Sequence, residues 1–313
     1  MATGSYRTTM SSDSWGELAA SLIAVREAFM RDESIYNGFL PGSPAALEAA
    51  NEPFADDWAT APSRNANIAG LHLAQVAMDD LTGLAILLRS LEPASIYGPS
   101  TLARSLIEVA ARCHYLLEPG ISPLERIRRQ QSDRLVALWE RKLLAEAMQT
   151  DHPEDAQEAI DYLDDRMKTI VDSARRHGLT PRKGDKRRPP SITGKDLKPI
   201  AATELVEALI GEGNGLGAYS YRTTSAVAHG REHGMMQYFT HRGALLDRTH
   251  GDAFGTIETS PQQTALNLAC VPIAAVRMLD RFYLQFGWPT QGAGRAAKHL
   301  LEEWRRIAEI PSL

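Results

Sequence analysis

Cysteine is scarce in this chain of 313 residues, and its two cysteines lie far apart in apolar surroundings. Cys113 stands in "AARCHYLL" and Cys270 in "LNLACVPI", and neither has a CxxC partner. This pattern argues against a structural zinc site built on thiolates. We expect both residues to be small core side chains of a protein from a reducing compartment.

Long apolar runs and the signatures of several enzyme classes are also missing. No stretch approaches 18 consecutive apolar residues, which predicts no membrane span, and the N-terminus lacks the basic and apolar regions of a secretory signal. The chain has no G-x-S-x-G elbow for a serine nucleophile and no ExxH for a di-iron site. We therefore expect a cytoplasmic, soluble protein with no membrane partner.

The charge balance is modest, with a formal net charge of −5 and 23% charged residues. It argues against a protein held to nucleic acid by bulk charge, and it leaves room for a local basic surface. One such surface is the loop 179–199, where "RKGDKRRPPS" holds five basic residues against one acidic. A solvated linker is the simpler interpretation of this loop. As a substrate-binding loop it would contribute Lys183, Lys186, Arg187 and Arg188.

Helical periodicity dominates the chain, and no strand-like alternation or fixed-period repeat is convincing. It predicts an all-α multi-helix bundle with long antiparallel helical hairpins and few or no strands. Ser122, with Pro123 and Glu125, and Ser260, with Gln263, have the spacing of helix starts. We expect residues 1–62 to form an N-terminal helix and an irregular segment, and residues 63–313 to form the helical-bundle domain.

The stretch "YRTTSAVAHGREHGMM", residues 221–236, carries the side chains best suited to chemistry, and we predict one helix of about five turns. At about 100° per residue, Arg222, Ser225 and His229 share a face, and His233 follows one turn later. Arginine is a fixed cation that binds phosphate or carboxylate, and histidine exchanges a proton near neutral pH. The pattern therefore favours acid-base chemistry on a phosphate.

Two other interpretations of these residues remain open. In a structural one, Arg222 pairs with a buried carboxylate such as Glu108, which Arg104 and Arg112 flank at four residues on either side. In the other, a divalent metal binds His229 and His233 together with a residue of the earlier helical hairpin. The hairpin residues that offer metal ligands are His72, Asp79, Glu108 and His114.

The pairing of "LARSLIEVAARCHYLL" with the later "YRTTSAVAHG" resembles a large group of bacterial all-helical proteins without an agreed activity, over roughly residues 64–288. The R-x6-H element of Arg222 and His229 is also similar to the R-x4–6-H motif of the HEPN superfamily. Members of that superfamily are helical bundles, often dimeric, and many are metal-independent ribonucleases.

The second resemblance implies a HEPN-like core and phosphodiester chemistry on RNA or a nucleotide without a cofactor. Arg222 would bind the phosphate and His229 would transfer the proton. A straight helix separates these two residues by about 10.5 Å along its axis, so we expect a homodimer that completes the site. A binding or regulatory module for a small anionic ligand or a partner is the alternative function. The supporting residues of the site would be Arg104, Glu108, Tyr221, Ser225 and His233.

Overall fold

The computed structural model describes residues 13–52, 54, 58, 61–89, 97–185, 188–193, 201–211, 215–235, 245–247, 252–254 and 260–310. Within these residues, twelve helices and two small two-stranded ribbons make up the protein. The prediction of an all-α multi-helix bundle with few strands is confirmed.

The first half of the chain contains the longest helices, and a short ribbon follows them. The elements are α1 (Asp13–Tyr36), α2 (Pro44–Ala50), α3 (Pro62–Arg89), α4 (Gly98–Leu116), α5 (Pro123–Met148), α6 (Pro153–Arg176), β1 (Thr180–Arg182) and β2 (Ser191–Thr193). Strands β1 and β2 are antiparallel, with Pro181 opposite Ile192. This ribbon lies at the ends of the segment predicted as a loop.

The second half alternates short helices with a second ribbon and ends in two longer helices. Its elements are α7 (Ala202–Ile210), α8 (Leu216–Ala228), α9 (Glu232–Met235), β3 (Leu245–Asp247), β4 (Asp252–Phe254), α10 (Pro261–Asn267), α11 (Cys270–Phe286) and α12 (Ala293–Ile307). Strands β3 and β4 are antiparallel.

Local signals in the sequence fix most of the helix ends. The hydroxyls of Ser122 and Ser260 accept the backbone N–H of Glu125 and Gln263 at 3.2 and 3.1 Å, which confirms both predicted starts. The helical path is interrupted shortly before Pro272. α10 ends at Asn267, and Pro272 is the third residue of α11, where a missing N–H costs no helical hydrogen bond.

The main core lies where α1, α3, α4, α7, α11 and α12 meet. The hairpin of α3 and α4 runs through it, and α1 packs between α3 and α12. Phe282 stacks on Phe286 with ring centroids 4.2 Å apart, and the edge of Trp288 meets Phe282 at 5.1 Å. Both cysteines are free and buried, and burial raises the pKa of Cys113 to about 12 and that of Cys270 to about 11.

Helix α3 is long and apolar enough to cross a membrane, with a mean hydropathy of 1.3 over an 18-residue window. A core helix of a bundle meets the same criteria of length and composition. α3 packs against α1 and α4, and it buries Leu81, Leu84 and Leu88 completely. The predicted absence of a membrane span stays a prediction.

The α5–α6 hairpin has a smaller hydrophobic cluster of its own, which includes Leu135, Leu163 and Ile192. A buried polar network ties this hairpin to the main core. Arg126 of α5 is 1% exposed, and its Nε lies 3.0 Å from the carboxylate of Glu48. The network therefore joins the base of the hairpin to the main core.

Candidate functional site

Helix α8 is held at its first turn by a carboxylate of α7. The side chain of Glu207 accepts the backbone N–H groups of Gly215 at 2.8 Å and Ala218 at 2.7 Å. A Cβ on Gly217 would lie 2.7 Å from the Cα of Glu207, so only glycine permits this approach of the two helices. The anionic side chain satisfies N–H groups that the start of a helix leaves without a partner.

The predicted continuous helix over residues 221–236 is wrong, because α8 ends at Ala228. Gly230 has a φ of 62°, and its N–H donates to the carbonyl of Val227 at 2.9 Å. The N–H of Arg231 donates to the carbonyl of Ala226 at 2.8 Å. These two bonds form a Schellman motif, which ends a helix at a left-handed glycine. His229 is consequently the last residue before the break.

After the break, the short helix α9 folds back onto the end of α8. A Cβ on Gly234 would lie 2.6 Å from the backbone nitrogen of Val227 and 2.7 Å from the Cβ of Ala226. Close packing at Gly234 therefore sets the position of α9. His233 precedes this glycine and is exposed. His229 and His233 therefore do not lie one turn apart on a single helix.

Arg222 and His229 are exposed, and Ser225 between them is half-buried. The helix is regular from Arg222 to Ala228, so the shared face predicted for residues 222, 225 and 229 persists up to the C-cap. The backbone carbonyl of Ser225 accepts the N–H of His229 at 3.1 Å. Within the described part of the chain, no hydrogen bond or ion pair occupies the side chain of Arg222, His229 or His233.

Tyr221 connects α8 to a charged cluster on α4. Its hydroxyl donates to Glu108 at 3.3 Å and accepts from Nη2 of Arg104 at 3.4 Å. The guanidinium of Arg104 also lies over the Tyr221 ring, 5.5 Å from the centroid. Arg112 binds the other oxygen of Glu108 at 3.3 Å and approaches Asp133 of α5 at 3.9 Å.

The contacts in this cluster show which side chains bind Glu108. The structural alternative paired it with Arg222, but Tyr221, Arg104 and Arg112 are its partners. Arg222 is left free of that carboxylate. Arg104, Glu108 and Tyr221 are thus brought together as predicted supporting residues, on the inner side of α8.

The metal alternative combined His229 and His233 with one of His72, Asp79, Glu108 and His114. His72 is exposed on α3, whereas Glu108 is engaged by two arginines and a tyrosine. Within the described residues, no group of three or more His, Cys, Asp or Glu side chains is arranged to hold a metal ion. Those residues include His72, Glu108, His229 and His233.

Two residues of the basic loop, Asp185 and Arg188, bond each other between the strands of the first ribbon. The backbone N–H of Asp185 donates to the carbonyl of Arg188 at 2.8 Å, and the N–H of Arg188 donates to the Asp185 carboxylate at 2.9 Å. Lys183 and Arg188 are exposed. Two further predicted substrate-binding residues, Lys186 and Arg187, lie outside the described residues.

Lys183 lines a groove of about 460 Å³ between α5, α6 and the ribbon. Sequence reasoning missed most of this groove. Trp139 lies in the same stripe of α5 as Leu135 and Leu143, and such spacing is more typical of a core face than of a site. Only the approach of the ribbon turns this stripe into a concave surface.

A second cavity, of about 380 Å³, lies where α11 meets the C-terminal ends of α4 and α7. Arg277 and Arg281 line it and donate to the carbonyls of Leu209 at 3.0 Å and His114 at 2.7 Å. Burial, together with Arg281 and Arg277, lowers the pKa of His114 to about 3. Arg277 and Arg281 are four residues apart on one helix, and this spacing was the signal in the sequence from which a shared basic site could have been predicted.

No family model, no curated protein and no solved structure matches the chain.

Proposed function

We propose that this protein acts on a phosphodiester of RNA or of a nucleotide, without a metal, at the exposed face of α8. The observation that carries the proposal is that Arg222 is exposed and has no ion-pair partner among the described residues. Glu108 is the carboxylate that the structural alternative assigned to it, and that carboxylate is occupied by Tyr221 and two arginines of α4. An exposed arginine that is not bound to a carboxylate is a suitable partner for a phosphate.

The two principal residues have different roles. Arg222 binds the phosphate and stabilises the charge that develops on its oxygens. His229 exchanges the proton as the acid-base group of the pair. The Schellman motif holds His229 at the exposed end of the helix. His233 and Ser225 lie near this end and support the site, while Arg104, Glu108 and Tyr221 fix α8 against α4.

The distance along the helix makes a second copy of the chain part of the proposal. Arg222 and His229 are about 10.5 Å apart along the axis of α8, which one phosphate bridges only with an extended arginine. In a homodimer with facing α8 helices, Arg222 of one chain and His229 of the other lie on the same phosphate. Two symmetric sites would result.

Cleavage of labelled RNA in the presence of EDTA tests the proposal. We expect His229→Ala to slow cleavage by about 10²–10⁴-fold and Arg222→Ala by about 10²–10³-fold. The matched control is Arg295→Ala with His299→Ala, which removes the same residue types from the exposed surface of α12. Absence of cleavage by the wild type, or equal rates in control and His229→Ala, rejects the proposal.

Mixing the two inactive variants tests the shared site. An equimolar mixture of Arg222→Ala and His229→Ala that exchanges subunits would regain about a quarter of the wild-type rate, because half of the dimers carry one intact site. If cleavage activity does not recover after subunit exchange, Arg222 and His229 of each site belong to the same chain.

The second cavity supports a different candidate function, the binding of a small anionic ligand without turnover. Arg277 and Arg281 present two positive charges to a cavity that the buried His114 also lines, against the one negative charge of Asp280. An anion such as inorganic phosphate would raise the melting temperature of the wild type. We expect Arg277→Ala to remove this shift, and an equal shift in wild type and variant would reject anion binding at this cavity.

A further inference from the structure

The groove between α5, α6 and the β1–β2 ribbon has the size and lining of a ligand site. Its volume of about 460 Å³ falls within the roughly 300–1,000 Å³ typical of small-molecule sites. Apolar side chains from both helices line it: Leu135, Trp139 and Leu143 from α5, and Met167 and Val171 from α6.

The register of the hairpin shows which parts of the groove are open. Lys142 of α5 binds Asp164 of α6 at 2.6 Å, so the two helices run antiparallel with Trp139 near Met167. The ribbon is attached near the hairpin base, where Ser132 bonds the backbone of Ile192 at 3.0 Å. Two helices and a short ribbon cannot cover the apolar stripe completely, and Trp139 stays half-buried in the wall.

Among the described residues, some of the basic side chains around the groove are paired with carboxylates and others are not. Lys142 and Arg175 are paired with carboxylates of α6 at 2.6 and 3.0 Å. In contrast, Lys168, Arg182 and Lys183 are exposed, and no carboxylate within the described residues pairs with them. Three such cations therefore line the same groove as the indole of Trp139, and the carboxylate of Asp185 lines it with them.

We infer that this groove binds a nucleoside phosphate, either as a free nucleotide or as part of a single RNA strand. The base would lie against Trp139, and the phosphates would contact Lys168, Arg182 and Lys183. Stacking of a base on an aromatic side chain beside a basic groove is the general mode of single-strand binding. The inference rests on the proposed function, since it names the part of the substrate that is held away from α8.

The distribution of charge favours this ligand over two other anionic classes. A long acyl chain needs an apolar path beyond its anionic head, but the charged side chains of Lys142, Glu146 and Asp164 also line the groove. An acidic peptide would match the three cations and leave the indole face without a flat partner. A base has polar edges and an apolar face, and both kinds of surface are present here.

Binding to an RNA that cannot be cleaved separates this inference from catalysis. The probe is a fluorescein-labelled, fully 2′-O-methylated strand of about eight nucleotides, followed by fluorescence anisotropy. We expect Trp139→Ala to weaken binding about tenfold and Trp139→Phe to weaken it by less than about threefold, because phenylalanine retains a stacking face. Tyr162→Ala, at an aromatic that is 57% exposed on α6 outside the groove, is the matched control.

The cations are tested by the salt dependence of the same binding. The double variant Arg182→Ala with Lys183→Ala should reduce the slope of log K against log salt by about 1.4, at about 0.7 for each phosphate contact to a single strand. Arg295→Ala with Lys298→Ala removes the same charges from α12 and should leave the slope unchanged. If Trp139→Ala fails to fold, the double variant Arg182→Ala with Lys183→Ala tests whether the groove binds the probe.

Competition identifies the source of the nucleotide. Displacement of the probe by adenosine or uridine monophosphate assigns the groove to free nucleotides, and displacement by the unlabelled strand alone assigns it to RNA. If inorganic polyphosphate or polyglutamate displaces the probe as well as the nucleotides or the strand do, the inference is overturned. It is also overturned if the groove variants bind the probe like the wild type.

The two proposals fail separately. A wild type that binds the probe through the groove and cleaves no RNA would reject the function proposed for α8 and leave the inference intact. A wild type that cleaves RNA, with groove variants that bind the probe as well as it does, would reject the inference alone. Tyr162→Ala should bind the probe with wild-type affinity, because Tyr162 does not line the groove.

Discussion

Removing the guanidinium of Arg126 should destabilise the protein more than any change to a surface ion pair. Arg126 is 1% exposed and donates to Glu48 at 3.0 Å, to the carbonyl of Leu116 at 2.5 Å and to Gln285 at 3.4 Å. It thus joins α5 to α2, α4 and α11. The perturbation is Arg126→Met, which keeps an unbranched side chain and removes the charge and its donors.

The magnitude follows from the partners that lose the guanidinium. The Glu48 carboxylate keeps Asn67 at 2.8 Å and Gln285 at 3.3 Å as its only neutral donors among the described residues. The side chain of Glu48 is 12% exposed, so water solvates it poorly. Breaking a buried ion pair on one side costs about 3–5 kcal/mol. We expect about 3 kcal/mol, because some water reaches Glu48.

Urea unfolding measures this cost, and Arg306→Met is its matched control. Arg306 bonds Glu17 at 2.6 Å and Glu303 at 2.8 Å, but its side chain is 53% exposed. An exposed pair contributes only about 0–1 kcal/mol. If Arg126→Met costs no more than Arg306→Met, burial does not strengthen the network around Arg126.

The double variant Glu48→Gln with Arg126→Met refines the same prediction. Neutralising Glu48 removes the unpaired charge that Arg126→Met leaves behind, so the double variant should be more stable than the sum of the single changes predicts. Strict additivity in urea unfolding would refute the coupling.

Three further predictions concern the candidate sites. Gly234→Ala should cost about 1–3 kcal/mol in urea unfolding, because its Cβ would lie 2.6 Å from the backbone nitrogen of Val227 and push α9 away; a neutral change would refute that packing. Tyr221→Phe should cost about 1 kcal/mol by the same assay, because it removes the hydroxyl that bonds Glu108 at 3.3 Å, and a stabilised variant would refute a role for that bond. Because burial lowers the pKa of His114 from 6.5 in the unfolded chain to about 3, its contribution to stability is complete above pH 6.5 and is lost as the pH falls towards 3. His114→Gln should therefore reduce the loss of unfolding free energy between pH 7 and pH 5 by about 2 kcal/mol, and equal losses in variant and wild type would refute the shift.

Local patterns in the sequence predicted the bundle and many of its helix ends. Ser122 and Ser260 cap α5 and α10 with side-chain bonds that depend only on residues three positions away. Gly178 follows the end of α6 with a φ of 71°, the left-handed conformation typical of a glycine just after a helix. Such signals are readable because both partners of each interaction lie within one helical turn.

The break after His229 was also present in the sequence, as the dipeptide His229–Gly230. We predicted a longer helix because the periodicity of Arg222, Ser225, His229 and His233 continues across it. A glycine inside a helical pattern either stays in the helix at a moderate cost or ends it. The packing of Gly234 against the end of α8 selects the second outcome, and that contact depends on the tertiary fold.

By itself, then, the sequence determined the helical class, the helix starts and the presence of an arginine and a histidine on one face of α8. Only the tertiary structure decided that Tyr221 binds Glu108 and that Arg222 stays exposed, because partners 113 residues apart carry no mutual signal in a single sequence. The same holds for the groove beside Trp139. A stripe of apolar residues becomes core or binding surface according to what packs over it, and there the fold supplied only a short ribbon.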